Sequence, residues 1–290
     1  MRKPTAVLLT ANELRHRYVA SQLIRDLDLV GIVSEAKPAS VTHAADPADA
    51  GIVEKHFAER DRVEHEMLGE AEFPADVRML HLRPGSLNSA ETVEWVEAAR
   101  PDVVVLYGTG MIRQQLIERY RGRFVNLHLG LSPYYRGAGT NFWPLVNGEP
   151  EFVGATIHEV DAAVDAGAIL TQVAGLIQPG DRAHEIGTRT IQSAARLLGE
   201  VAALKARGEI TGIRQDLNQG RVYRVRDFTG EAVRTLWRNL EEGMIERYLA
   251  QPVEPRIHRL RPGALAVAAP VLNLTAAVAS ALGSTIAQLV

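Results

Sequence analysis

Asn126 and His128 stand two residues apart in the run FVNLHLGLSP. In an extended segment that spacing sends both side chains from one face, so an amide and an imidazole can act on a single atom. A carboxamide donor beside a ring that exchanges its proton near neutral pH suits the stabilisation of a developing oxyanion and the movement of a proton. A hydrogen-bonded structural pair would show the same spacing, because buried polar side chains generally find partners. The sequence has no cysteine. That excludes disulfide scaffolds, thiolate metal sites and a cysteine nucleophile, and leaves chemistry to histidines, carboxylates and amides.

These residues need a sheet to hold them. Short apolar runs at 6–10, 29–33 and 103–107, with a further strand at 79–82, have the Val, Ile and Leu content of parallel strands covered on both faces. Helical patterns at 13–26 and 90–99 alternate with them, which predicts an α/β, doubly wound, mostly parallel sheet. The segment 124–129 reads as another buried strand that ends at Gly130, so the polar loop after it falls at the carboxyl edge where open α/β sheets place their sites. A long helix over 182–207 closes the main domain, giving a boundary near Gly208 with residues 1–207 before it and a small α+β appendage, 208–290, after it. Within the appendage, 213–228 reads as a hairpin turning at Asn218-Gln219-Gly220, followed by a helix over 230–250. The charged stretch 53–68 reads as a solvated surface helix, with a second reading in which His56 and Arg60 cap a substrate cleft.

Thirty-two basic residues nearly balance 35 acidic ones, so bulk charge points neither to nucleic acid nor to an anionic membrane. The N-terminus lacks the apolar run of a signal peptide, and the expectation is a cytoplasmic protein. The apolar stretch 264–290 is broken by Pro270, Asn273, Ser280 and Gln288, which argues against a membrane span and for an amphipathic helix packed on the protein or on a second copy, a homodimer.

Beyond His128 the chain supplies Pro133, Arg136, Gly137, Gly154, Thr156, His158, Asp161, Asp165 and Gly167 in order. This succession resembles the catalytic core of the folate-dependent formyltransferases, whose members include glycinamide ribonucleotide, methionyl-tRNA and amino-sugar N-formyltransferases. Their pattern is Asn-x-His, a turn with proline, Arg-Gly, Gly-x-Thr-x-His and a Val-Asp-x-x-x-Asp-x-Gly loop. The resemblance covers residues 1–205 for the fold and 103–172 for the motifs. The stretch YRGAGTNFWPLVNG is most similar to the amino-sugar and methionyl-tRNA branches. One departure is Gly130-Leu131-Ser132-Pro133 where the family has Ser-Leu-Leu-Pro; it alters the wall beside His128 and removes no catalytic group.

The resemblance implies a formyl transfer from 10-formyltetrahydrofolate to an amine, which needs an oxyanion donor, a proton acceptor and protonation of the leaving nitrogen. Asn126 would bond the formyl oxygen and His128 would stabilise the oxyanion and shuttle the proton. Asp165 would orient His128, favour its charged form and relay the amine proton; a helix cap or turn residue is the alternative, Asp-Ala-Gly being good turn chemistry, and the motif context favours the functional role. Leu106, Tyr107, Gly108 and Met111, with Val160, Asp161 and Asp165, would line the folate pocket. Gly108-Thr109-Gly110 lacks the third glycine and early position of a dinucleotide fingerprint. His158 reads as a packed or hydrogen-bonded residue, and no residues have metal-site spacing.

For the acceptor, the loop with Asn12, Arg15 and Arg17 lies at a helix N-terminus, an anion site that could hold the phosphate of a nucleotide-linked amino sugar; an N-cap followed by solvated arginines is the alternative. Tyr134, Tyr135, Arg136, Asn141 and Trp143 would form the other wall, or serve as ordinary core aromatics. The expectation is therefore an N-formyltransferase acting on a small-molecule amine, an amino sugar or natural-product intermediate. Methionyl-tRNA fits less well, because only 208–290 remain for the larger basic domain that substrate usually requires. A formyltetrahydrofolate hydrolase and a non-catalytic folate-binding scaffold are the alternatives; no N-terminal regulatory domain is evident for the first, and the second has little reason to keep all three polar groups.

Overall fold

Residues 2–38, 46–161 and 163–260 are described by the computed structural model. The apolar runs become the strands β1 (Thr5–Thr10), β2 (Asp28–Glu35), β3 (Met79–Leu82) and β4 (Val103–Tyr107), joined by α1 (Leu14–Leu23), α2 (Ala50–Leu68) and α3 (Ala90–Ala99). Every residue of β4 is buried, as a central parallel strand covered on both faces requires. The short α4 (Gln114–Arg119) leads into β5 (Phe124–His128).

The seven-stranded sheet has the order β3-β2-β1-β4-β5-β7-β8, where β7 is Gly154–Glu159 and β8 Ile169–Ala174. The first five strands in that order are parallel, whereas β7 runs antiparallel to β5 and β8 antiparallel to β7. Register matters for the chemistry: Asn126 faces His158, and His128 faces Thr156, across the β5–β7 pair. The helix α6 (Ala183–Ala206) packs on α1, α2 and the strands, and buries Ile186, Ile191, Leu198 and Val201. At about 25 cal/mol per Å2 of apolar surface removed from water, such a face supplies most of what keeps a helix docked.

Between β5 and β7 lie β6 (Tyr135–Gly137) and α5 (Trp143–Val146). The segment after Gly208 departs from the expected hairpin. Ile213 forms an isolated antiparallel bridge with Ile169, and β9 (Arg221–Tyr223) pairs in parallel with β6. The two halves of the expected hairpin thus take partners far away in sequence, because β6 and the edge strand β8 offer unpaired backbone close by. The expected single helix is two, α7 (Gly230–Glu241) and α8 (Met244–Ala250), since Gly243 adopts φ 79° between them. Gly208 ends α6, yet the compact unit continues to Arg259. Leu236 of α7 packs with Leu145, Val153 and Ile186, and Asn239 donates to the carbonyls of Leu145 and Val146.

The stretch at 53–68 is also less solvated than expected. Val53, His56, Val63, Glu64 and Leu68 of α2 are buried, and the helix packs on α6 and α7. Two of its inward residues are polar, which is why the hydrophobic pattern underestimates that face. Among the described residues no helix is long and apolar enough to cross a membrane. The expected amphipathic helix at 264–290 lies outside the described residues.

Candidate active site

β5 ends at His128, whose ring is 7% exposed. Its Nδ1 lies 3.3 Å from Asp165 Oδ2, and its Nε2 lies 3.0 Å from the Tyr135 carbonyl and 3.2 Å from the Thr140 hydroxyl. Asp165 reaches it from the loop between β7 and β8. There it adopts φ 47°, a left-handed conformation that Asp tolerates better than most residues. Its Oδ2 also accepts from the Gly137 N–H at 2.8 Å. The loop is pinned by Gln215, which donates to the carbonyls of Asp165 and Gly167.

Asn126, two residues before His128 and partly buried, is held by His158. The His158 Nδ1 lies 2.6 Å from the Glu159 carbonyl and donates to it, which leaves Nε2 as the acceptor for Asn126 Nδ2 at 3.0 Å. One amide hydrogen of Asn126 is thereby engaged and the second is left over. His158 Nε2 also lies 3.6 Å from Asp165 Oδ1. The four side chains form one polar group at the carboxyl edge of β5, and His158 is the hydrogen-bonded residue the sequence suggested.

Burial drives the charges here in opposite directions. Desolvation lowers the His128 pKa below 6.5, and the Asp165 carboxylate opposes this without cancelling it. Desolvation on its own would raise Asp165, but the His128 and His158 rings and the Gly137 N–H outweigh it and hold the carboxyl well below its usual range. Asp165 thus favours the charged ring, as the resemblance implied, while burial favours the neutral one and outweighs it. Among the described residues no group of His, Asp and Glu side chains could hold a metal ion.

The expected folate-pocket residues divide. Leu106 and Tyr107 are 3% and 2% exposed and paired on both sides in the sheet, so their side chains are closed to a ligand. Gly108, at φ 64°, begins the open rim, and Met111 is 70% exposed. The Gly108 carbonyl accepts from Lys37. Val160 packs against the core beside Leu106, and Asp161 is exposed at the start of the Asp165 loop.

The expected acceptor residues divide as well. Asn12 is exposed. Arg15 is bonded to Glu13 and, at 2.6 Å, to Glu64, so its charge is already met. Arg17 lies 4.0 Å from Glu72. The Tyr135 hydroxyl donates to Glu149 and its ring stacks on Tyr223, which makes it a core aromatic. Arg136 is 8% exposed and donates to the Leu217 carbonyl. Asn141 accepts from the Gly154 N–H at 2.9 Å and lines a cavity together with Arg15. Thr140 and the Tyr135 carbonyl, both on His128, had no sequence signal, because backbone carbonyls and lone threonines carry none.

A family model described as formyl transferase matches residues 11–202, and the chain belongs to the formyl transferase family. It is 32% identical over 136 residues to a methionyl-tRNA formyltransferase of Geobacter sulfurreducens, covering 47% of this chain and 43% of that one. The chain thus spans less than half the length of that curated relative. In structure it is similar to a phosphoribosylglycinamide formyltransferase from Anaplasma phagocytophilum, with a TM-score of 0.54, 15% identity, and coverage of 77% of this chain and 99% of the other. It is also similar to a sugar N-formyltransferase from a Shewanella species, with a TM-score of 0.51, 17% identity and 78% of each chain covered. At such identities the two structures bear on the fold alone.

Proposed function

We propose that the protein is an N-formyltransferase that moves the formyl group of 10-formyltetrahydrofolate to the amine of a small acceptor, with an amino sugar or a natural-product intermediate as the acceptor class. The observation that carries this reading is the meeting of Asn126, His128 and Asp165 at one strand end, with His128 Nδ1 3.3 Å from Asp165. The rim from Gly108 to Met111 has two glycines and the exposed apolar side chain of Met111, a surface on which a flat heteroaromatic ring can lie. When bound, the folate supplies an activated formyl carbonyl.

The free amide hydrogen of Asn126 donates to the formyl oxygen as negative charge develops there; one such donor is worth about 100- to 1,000-fold in rate. The Tyr135 carbonyl can only accept, and the Thr140 hydroxyl spends its hydrogen on the Leu129 carbonyl, so Nε2 carries the ring hydrogen at rest and Nδ1, on the Asp165 side, is the nitrogen that takes the proton of the attacking amine. Asp165 Oδ2, 3.3 Å from Nδ1, accepts from the hydrogen that arrives there. Asp165 stabilises the imidazolium so formed, which then returns its proton to the leaving nitrogen.

The test incubates the protein with 10-formyltetrahydrofolate and a panel of small amines, following tetrahydrofolate and formamide product together. Tetrahydrofolate formed in step with one formamide supports transfer. Tetrahydrofolate and formate at the same rate without any amine would mean hydrolysis instead.

A further inference from the structure

Beside the loop that follows His128, helices α2 and α6 line an open cavity of about 150 Å3. Its walls include His56, Asn141, Phe142 and His184, with the guanidinium groups of Arg15 and Arg60. Leu129 and Asn141, which also line it, are the chain neighbours of His128 and Thr140, whose side chains are 3.2 Å apart.

Three buried polar atoms of this wall have no hydrogen-bond partner among the described residues: His56 Nδ1, Asn141 Nδ2 and His184 Nε2. Buried polar atoms are nearly always paired, so three orphans around one cavity ask for a partner from outside. His56 is 5% exposed. The Asn141 amide is oriented by its Oδ1, which accepts from Gly154 N–H at 2.9 Å, so Nδ2 is a fixed donor. His184 Nε2 is the third of these atoms, and in the neutral ring it can present a lone pair.

The cavity carries no spare positive charge. Arg15 is bonded to Glu64 at 2.6 Å and to Glu13, and Arg60 donates to Asp61 at 2.9 and 2.7 Å. Burial pulls His56 down to about 4 and His184 to about 3, so both are neutral at pH 7. A phosphate seated here would have to compete with carboxylates that already hold both arginines. A hydroxyl meets no such cost: it can donate to His184 Nε2 and accept from Asn141 Nδ2, while the rings of His56 and Phe142, 5.4 Å apart and edge to face, offer apolar surface to C–H groups. The volume is below the roughly 300–1,000 Å3 of sites for drug-sized ligands, which suits one ring and not a whole nucleotide.

We infer that this cavity is the acceptor-specificity pocket and that it takes an uncharged, hydroxyl-bearing ring of about one monosaccharide, presenting its amine toward His128. This rests on the formyl-transfer reading above and names its acceptor class. Any anionic group attached to the ring stays outside the cavity.

Calorimetry with methyl 4-amino-4-deoxyglucopyranoside as the probe tests this, with 5-formyltetrahydrofolate titrated separately into the same proteins. Wild type binds the sugar; His184→Ala weakens it about tenfold, as loss of one hydrogen bond allows; His184→Gln, which keeps an acceptor atom, recovers part of the loss; and all three bind the folate alike. Melting temperatures identify any variant that has lost its fold, and His56→Phe, which keeps the ring and removes the nitrogens, then serves as the second variant and also weakens the sugar. Folate binding without sugar binding, sugar binding unchanged in His184→Ala and His56→Phe, or displacement of the sugar by inorganic phosphate overturns the pocket assignment. Sugar binding without folate binding keeps the pocket and overturns the formyl-transfer reading.

Discussion

His128 combines two demands that pull against each other: burial favours the neutral ring and Asp165 favours the charged one, with burial ahead. A neutral ring is the proton acceptor the proposed reaction needs, so kcat/KM falls on the acid side through a group titrating below 6.5. Asp165→Asn removes the influence that raises this pKa, so the acid limb moves to still lower pH while the rate drops; a limb moving upward in a pH–rate profile would contradict the assignment. Asn126→Ala lowers kcat by about 100- to 1,000-fold with little change in donor affinity, checked by steady-state kinetics and calorimetry. The trio was legible in sequence because strand alternation places Asn126 and His128 together and the family pattern supplies Asp165. What was not legible was partnership: Arg15 looked like a free cation but is held by Glu64, 49 residues away, and Tyr135 looked like a cleft wall but is stacked on Tyr223.

Among the elements, the loop between β7 and β8 depends on a close approach. A Cβ at Gly167 would lie 1.6 Å from the Glu159 carbonyl oxygen, so Gly167→Ala must open the loop that carries Asp165. Its kcat falls at least about tenfold, on the general sensitivity of catalysis to misplacement of about 1 Å, and a variant with wild-type kcat would show that the loop does not position Asp165. The β6–β9 pair makes a similar demand at Gly137, where φ is 94° and a Cβ would stand 2.0 Å from the Tyr223 carbonyl oxygen. Gly137→Ala should therefore cost on the order of 1–3 kcal/mol, read by chemical denaturation. The strands at 79–82 and 103–107 and the helix at 90–99 were readable to the residue, since continuous apolar runs and 3.6-residue periodicity are local signals. The pairing of β9 with β6 was not, because a three-residue strand carries no register of its own. The hairpin expectation mistook a turn-forming Asn-Gln-Gly for a local pairing.

At the scale of the whole molecule, His56 and His184 make the protein acid-sensitive. Both have folded pKa values, about 4 and about 3, below the ordinary 6.5, so the unfolded chain binds more protons between those limits and stability is lost as pH falls from 6.5 toward 4. The expected loss is on the order of a few kcal/mol at about 1.4 kcal/mol per pKa unit. His184→Gln should flatten the fall of melting temperature over that window, whereas an unchanged slope would mean that His184 is accessible to water. Below 3.8 the protonation of Asp165 removes a further contribution, because its folded value is depressed as well.

The central claim, that a formyl group is handled at the Asn126–His128–Asp165 centre, is tested most directly by calorimetric titration of the purified protein with 5-formyltetrahydrofolate, a stable analogue of the donor. Saturable, near-stoichiometric binding that is preserved in His128→Ala, together with loss of transfer activity in that variant, is the predicted result. Absence of binding to the wild-type protein, or transfer retained in His128→Ala, would contradict it.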